Sequence, residues 1–411
     1  MMMHVENLSY LAISSKRSEA RVTIHNKSRS VRSGFMLVIT SHTLNHTYNS
    51  LLPILYPSMI SEFQLSYSLV GMLVMGYRLS GGALQLLMGF LGRFVRRKML
   101  LGFGMIWQSV ANSFIAASQS FEHVLVNRVL AGVGSSPQHP TGASYIAENF
   151  PQRQIGKALG ANIVAAQFGS FITPFIGSLL LSRLGWRTTI LAFSIPGLAV
   201  GLAFMFIAEP RRSREWSGLS SLAMLSKGVR QVLKDRIVLT VMIVEMVMAF
   251  RIGARDFIPS YLVRDLGMAP LEVGVLFAVF LGSGLPAPYF WGYLSDRIER
   301  RKVVMFAMAM ASVLWYSLQH SKDSYQLLLI LVPLGFACQG VGGVIQAFVA
   351  ERTTPENRDL IYGVYFTLAF TLGSLSPVVL GYLADTFGFQ VSFSYVAVVS
   401  LFSVVVAYLL K

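Results

Sequence analysis

His42, Asn45, His46 and Asn49 stand at i, i+3, i+4 and i+7 in an otherwise apolar stretch, which places them on one face of a helix. Imidazole titrates near physiological pH, so such a face can carry protons as well as hydrogen-bond a polar solute. A second apolar stretch carries Arg128, Ser135 and His139 beside Pro137 and Pro140. A third holds Glu245, Arg251, Arg255 and Asp256, its two acids eleven residues and about three helical turns apart. Arg78 adds a cation to a fourth. An ionised side chain at mid-bilayer depth costs about 2.5–3.5 kcal/mol or more unless it faces protein or water, which makes each of these a functional candidate. Carboxylates driven toward the neutral form by desolvation would carry protons as well as imidazoles do. The plainer alternative is that the histidines make helix-to-helix hydrogen bonds and that Arg251 and Arg255 pair structurally with Asp256. Four interior arginines against two acids leave an excess of two positive charges, which favours an anionic or strongly polar solute.

The elements that must hold these groups are membrane spans. The chain has 411 residues, 54% hydrophobic and 13% charged, with a mean hydropathy of +0.58. A soluble domain carries about 25% charged residues. Apolar windows long enough to cross a hydrocarbon core of roughly 30 Å recur along the chain. Twelve spans are predicted, at roughly 34–60, 68–92, 99–118, 123–149, 156–182, 188–208, 237–262, 271–294, 303–319, 326–349, 359–384 and 391–410. Of the 34 Lys and Arg, 26 fall in segments placed on one side of the membrane, and only Arg183, Arg187, Arg264 and Lys322 lie in the opposite loops. This asymmetry predicts a multi-pass protein of the plasma membrane with both termini cytoplasmic. The net charge of +15 is therefore a topology signal with a pull toward anionic lipid, not a nucleic-acid patch.

The chain also nearly repeats itself at an offset of 203 residues: Gly71 recurs as Gly274, Glu148 as Glu351, Pro174 as Pro377 and Gly185 as Gly388. Two duplicated bundles enclosing a central site is an architecture of secondary transporters. The expected organisation is a basic cytoplasmic tail over 1–33, read as a disordered extension, a first six-helix bundle over 34–208, a linker over 209–236 and a second bundle over 237–411. In the linker Trp216, Leu219, Leu222, Leu225, Val229 and Val232 recur at near-helical spacing with Lys227, Arg230 and Lys234 on other faces. That pattern fits either a basic amphipathic helix on the membrane surface or a solvated connector.

The segment Gly89-Phe-Leu-Gly-Arg-Phe-Val-Arg-Arg-Lys98 and its repeat Gly292-Tyr-Leu-Ser-Asp-Arg-Ile-Glu-Arg-Arg-Lys302 resemble the loop signature of the major facilitator superfamily. Asn45-His-Thr-Tyr-Asn-Ser-Leu-Leu-Pro53 and Gly132-Val-Gly-Ser-Ser-Pro-Gln-His-Pro140 resemble its fosmidomycin-resistance branch of efflux proteins. The resemblance implies an all-α membrane protein of twelve helices in two pseudo-symmetric six-helix bundles, whose spans 1, 4 and 7 line a cavity. It implies a cytoplasmic gate in which Arg97 pairs with Glu148 and Arg300 with Glu351. The family's loop acid is present as Asp296, but Arg93 replaces it in the first half. Arg128 matches a span-4 arginine linked to proton coupling. Gly160, Gly169, Pro174 and Gly177 resemble the antiporter motif of exporters, or else mark generic close helix packing. The branch places an Asp where this chain has His46.

The expected function is therefore a proton-coupled exporter of small polar or anionic compounds working by alternating access, its partners being a small-molecule substrate, protons and the lipid bilayer, and its state a monomer. An uptake symporter for an organic anion or sugar, and a non-transporting receptor or scaffold, are the alternatives. No cofactor is expected. Phosphate-binding loops and metal-ligand clusters are not evident in the sequence, nor is a nucleophile–base pair at spacing suited to an enzyme. Cys338 is the sole cysteine, which excludes a disulfide within the chain.

Overall fold

The computed structural model describes residues 2–92, 94–207, 243–244, 247–251, 253–352, 367 and 370–408, with side chains from residue 31 onward except those of 349 and 350. The 209–236 linker, Arg93 and Glu245 lie outside the described residues. The first half comprises α1 (Met2–Phe63), α2 (Tyr67–Leu91), α3 (Arg97–Ala116), α4 (Phe121–Ser135), α5 (Gln138–Asn149) and α6 (Gln152–Phe206). The second comprises a 3₁₀ turn (Gly253–Phe257), α7 (Ile258–Arg264), α8 (Pro270–Ser283), α9 (Ala287–Ser295), α10 (Arg300–Leu318), α11 (Ser324–Cys338), α12 (Val341–Arg352), α13 (Ser376–Phe387) and α14 (Phe389–Tyr408). The described fold is all-helical. Six of its helical stretches are long and apolar enough to cross a membrane by themselves. The basic tail, expected as a disordered extension, is helical and continuous with α1; no Pro or Gly precedes Gly34 to interrupt it.

Local chemistry sets the boundaries. Ser66 and Ser120 cap α2 and α4 by accepting from the backbone N–H of Leu69 and His123, and Asp323 caps α11 by accepting from that of Gln326. Pro137 separates α4 from α5, breaking the predicted span 4 one residue before Gln138. In α6 a reversal occurs at Gly185 (φ 74°, ψ 168°), and Gly388 between α13 and α14 adopts φ 82°, ψ 168°. Only glycine occupies that backbone region readily. These two residues are partners under the 203-residue offset, so the sequence repeat is also a repeat of backbone conformation.

The two halves meet through the same repeat. Gly71 of α2 lies against the backbone of Pro377 of α13, and Gly274 of α8 lies against Pro174 of α6, where a Cβ would stand 2.7 Å from the Pro174 carbonyl oxygen. At this end one apolar core draws on both halves: Leu55, Ile60 and Leu73 from the first share it with Phe257, Tyr261, Phe280 and Phe389 from the second. At the end carrying the basic loops, the described cores are separate. Val38, Leu101, Tyr145 and Phe204 form one in the first half, while Met248, Trp291, Val304 and Val344 form another in the second. Gly156, Gly160 and Gly342 would meet no atom within 4 Å if given a Cβ. Among the described residues the halves thus share an apolar core at one end and have separate cores at the basic-loop end.

This geometry makes Gly71→Val diagnostic. The contacting atoms are backbone, which cannot yield, so a valine forces the joined end apart; overpacking of this kind costs about 1–3 kcal/mol or more. With Ala384→Cys as a reporter in a Cys338→Ser background, the variant should react with a soluble maleimide at least about tenfold faster than its parent, since about 1.4 kcal/mol is a factor of ten in the open population. An unchanged rate would mean that the contact does not limit opening.

Candidate functional site: a polar crevice between the halves

Between the joined and separated ends, α1 presents its polar stripe to α3, α5, α6 and the 3₁₀ turn. Nearest the basic-loop end, the rings of His42, His46 and His139 pack edge to face, with centroids 4.9 Å (42–46), 5.0 Å (42–139) and 6.0 Å (46–139) apart. His42 is buried, His46 half-buried and His139 exposed. His139 keeps an exposed side although two other rings flank it. Gln138 sets this arrangement by receiving a hydrogen bond from the Ser41 hydroxyl (3.1 Å), which ties the start of α5 to α1. His46 Nδ1 lies 3.2 Å from the Ser170 hydroxyl of α6.

One turn deeper, Asn45 donates to Gln108 Oε1 (3.1 Å), and both Gln108 (3.1 Å) and Asn49 (3.0 Å) donate to the Tyr77 hydroxyl. The Arg128 guanidinium stacks on the Tyr77 ring at 4.3 Å, a cation–π geometry. Arg128 is 2% exposed, and its Nε and Nη1 have no hydrogen-bond partner. Buried donors without partners are uncommon in folded proteins, and a ligand is one thing that satisfies them.

Beyond this layer the halves are pinned together. Arg78 Nη2 of α2 meets Asp256 Oδ2 of the 3₁₀ turn at 2.6 Å, with side-chain exposures of 15% and 6%. Arg255 Nε approaches the other carboxylate oxygen at 3.4 Å. Asn49, Tyr56, Arg78, Arg128, Arg255 and Asp256 line a cavity of ≈ 10 Å³, room for about one water. Three arginines and one acid converge there, which leaves an excess of two positive charges. Farther out, Asp385 of α13 accepts from the backbone N–H of Tyr67 (2.7 Å) and Ser68 (2.8 Å) and from the Ser68 hydroxyl (2.5 Å). A carboxylate of one half thus sits on the positive N-terminal end of a helix of the other.

The structure departs from several sequence-based expectations. Asp256 stands in a 3₁₀ turn, between Gly253 and Pro259, inside the span predicted over 237–262; its expected alignment with Glu245 falls outside the described residues. Arg251 does not pair with Asp256; it donates to the Cys338 carbonyl at 3.2 Å within its own half. Ser135 donates to the Gly132 carbonyl at 2.8 Å instead of facing the crevice. Gly169 and Gly177 do pack tightly on α1, against Thr43 and against Leu51 and Ile54, whereas a Cβ at Gly160 would meet no atom within 4 Å. The three histidines come together with one ring nitrogen of each within 4.8 Å of the others, a grouping that the sequence did not make evident. The i, i+4 pair His42 and His46 was half of that signal; the third ligand lies 93 residues further on in α5, and only the fold delivers it.

The loop charges Arg97 and Glu148, and Arg300 and Glu351, meet within their own halves, as the resemblance implied. Arg97 Nη2 donates to Glu148 at 2.6 Å, and Arg300 Nη2 meets Glu351 at 2.7 Å and Asp296 at 3.2 Å. The hydrogen bond to Glu351 raises the Arg300 pKa. These pairs brace a loop against a helix end of the same bundle. At the joined end, the hydrogen bond from Arg187 holds the Glu62 carboxyl below the ordinary carboxylate range. Tyr77, Gln108 and Asp385 were not among the sequence candidates. Gln108, polar in an apolar span and fully buried, was the one with a readable signal.

Two helical bundles that hold a cluster of buried charged and polar residues between them and, among the described residues, share an apolar core at one end suit a membrane carrier. The sequence profile of the Major Facilitator Superfamily matches residues 38–254 and 257–411, and the chain belongs to that superfamily of transporters. It is 25% identical over 325 residues to a putative metabolite transport protein of Haemophilus influenzae, covering 76% of this chain and 79% of that one. It is 24% identical over 355 residues to the fosmidomycin resistance protein of Escherichia coli, covering 84% of each. The fold is similar, at a TM-score of 0.79 and 15% identity, to a bacterial homologue of the human lysosomal transporter Spinster in an inward-facing, unoccupied conformation, covering 94% of this chain and 97% of that one.

Proposed function

We propose that the protein is a twelve-span, proton-coupled antiporter that exports small anionic or strongly polar compounds, with the basic loops and both termini in the cytoplasm. The observation that carries this reading is the charge excess at the meeting point of the halves: Arg78, Arg128 and Arg255 face Asp256 alone among the described residues lining that cavity. In the orientation proposed, the joined end is extracellular and the conformation is open to the cytoplasm. An anionic solute enters past the histidines and pairs with the free donors of Arg128 and with Arg255. By pairing with the arginines the anion weakens the Arg78–Asp256 contact and lets the outer end part; once the anion has left, a proton from outside neutralises Asp256 and is released to the cytoplasm as the pair with Arg78 re-forms. Neutral Asp256 and a bound anion then give the crevice different charge in its two states, which is the differential interaction that alternating access requires. The similarity to the fosmidomycin resistance protein supports export and a polar cargo.

The test is proton flux in proteoliposomes enclosing a pH-sensitive dye, challenged with phosphonates, carboxylates and polar antibiotics. A cargo that moves across the membrane with no matching pH change removes proton coupling. Accumulation with the proton gradient, instead of exchange against it, converts the assignment to uptake.

A further inference from the structure

Any sign that the crevice holds something besides an organic solute must come from groups that solute recognition leaves unused. His42 is such a group. It is 5% exposed, and neither of its ring nitrogens has a hydrogen-bond partner. An imidazole needs at least one partner when buried; Asn162 lies close to this ring, and two further imidazoles pack against it. One ring nitrogen from each of His42, His46 and His139 lies within 4.8 Å of the other two. The 3.2 Å contact of His46 Nδ1 with Ser170 fixes that ring and leaves its Nε2 available. Metal-ligating histidines are oriented by such a second contact on the opposite nitrogen.

We propose that His42, His46 and His139 form a binding site for a divalent first-row transition metal of the zinc class. Three neutral imidazoles are a recurrent donor set for such ions and disfavour magnesium and calcium, which take oxygen. Bonds of roughly 2.0–2.1 Å to a tetrahedral ion place ligand nitrogens roughly 3.4 Å apart. The present spread of up to 4.8 Å must close to that value when the ion binds. His42 and His46 project from successive turns of α1, and Gln138, hydrogen-bonded to Ser41, holds α5 opposite them. The fourth position faces the open side where His139 is exposed, so the ion keeps an exchangeable ligand: water or an anion in the crevice. All three histidines belong to the first half. The bound ion therefore moves with that bundle and does not tie the halves together. The inference is independent of the direction of transport and of proton coupling.

Tag-free, full-length protein in detergent, stripped with a chelator, should bind one Co²⁺ per chain and develop visible d–d bands of a nitrogen-rich four- or five-coordinate site, which Zn²⁺ then displaces. His42→Gln, His46→Gln and His139→Gln should each weaken Zn²⁺ binding at least about tenfold, while His123→Gln and His320→Gln leave it unchanged. Absence of the cobalt bands in the native chain overturns the proposal without recourse to any variant. Retention of native zinc affinity in the triple glutamine variant, eluting as a single species on size exclusion, overturns it as well. Anion-driven proton flux that persists in metal-free protein leaves the assigned function standing, so the two can fail separately.

Discussion

Asp256→Asn is expected to shift the protein out of the conformation described here. The Arg78–Asp256 contact at 2.6 Å joins the two halves, and both partners are largely withdrawn from water. Removing the carboxylate leaves Arg78 facing Arg255 and Arg128 with no counter-charge in a nearly dry cavity. Breaking a buried pair by deleting one partner costs about 3–5 kcal/mol, because the surviving charge is stranded. Since each 1.4 kcal/mol is a factor of ten, the population with the joined end open should rise by about two to three and a half orders of magnitude. Spin labels at Gln64 and Lys322, one in each half near that end, should report a longer distance in the variant than in the parent. The paired change Arg78→Met with Asp256→Leu should restore the short distance, because apolar residues filling the same space avoid the stranded charge. That double variant should also lose any opening in response to acid. If the single variant kept the parental distance distribution, the ion pair would not be a latch. If the double variant stayed open, the effect would be loss of packing and not of charge.

How much of this was legible in the sequence depends on whether a feature is local. The repeat at 203 residues predicted the twofold relation of the halves, and the structure extends it to matched backbone conformations at Gly185 and Gly388 and matched Gly–Pro contacts at Gly71 and Gly274. The polar stripe on α1 was readable because helical spacing alone puts its members on one face. The pairing of Arg78 with Asp256 was not, since it joins residues 178 apart whose encounter depends on how the halves dock. The 3₁₀ turn around Asp256 was missed for a related reason. An apolar window conceals a break in the helix when the surrounding residues, Phe257 and Ile258, are as hydrophobic as a span requires. Asp385 escaped notice because an acid near the end of a span reads as a loop residue. Two of its three donors are backbone N–H groups, which no side-chain pattern displays.

Arg128 offers the sharpest separation of a site from a structural element, because stability and function should move in opposite directions. Its guanidinium is 2% exposed, stacks on Tyr77 at 4.3 Å, and leaves Nε and Nη1 without partners. A charge at this depth costs about 2.5–3.5 kcal/mol or more, and a desolvated cation–π contact returns about 2 kcal/mol. Arg128→Met keeps the bulk, removes the unpaired charge and abolishes the anion contacts. The apparent Tm of the unliganded protein should therefore rise, by about 1–3 °C if the net gain is ~1 kcal/mol. Two charge-assisted hydrogen bonds contribute about 1.5–3 kcal/mol each, so affinity for an anionic solute should fall at least about a hundredfold, and transport with it. Lysine at the same position keeps the charge but not the planar fork, and should recover only part of the binding. An arginine held for structure predicts the reverse pattern: a lower Tm in the methionine variant with transport per folded molecule unchanged. Thermal unfolding and solute uptake measured on the same preparations decide between them, since a poorly folded sample cannot imitate a protein that is more stable and less active.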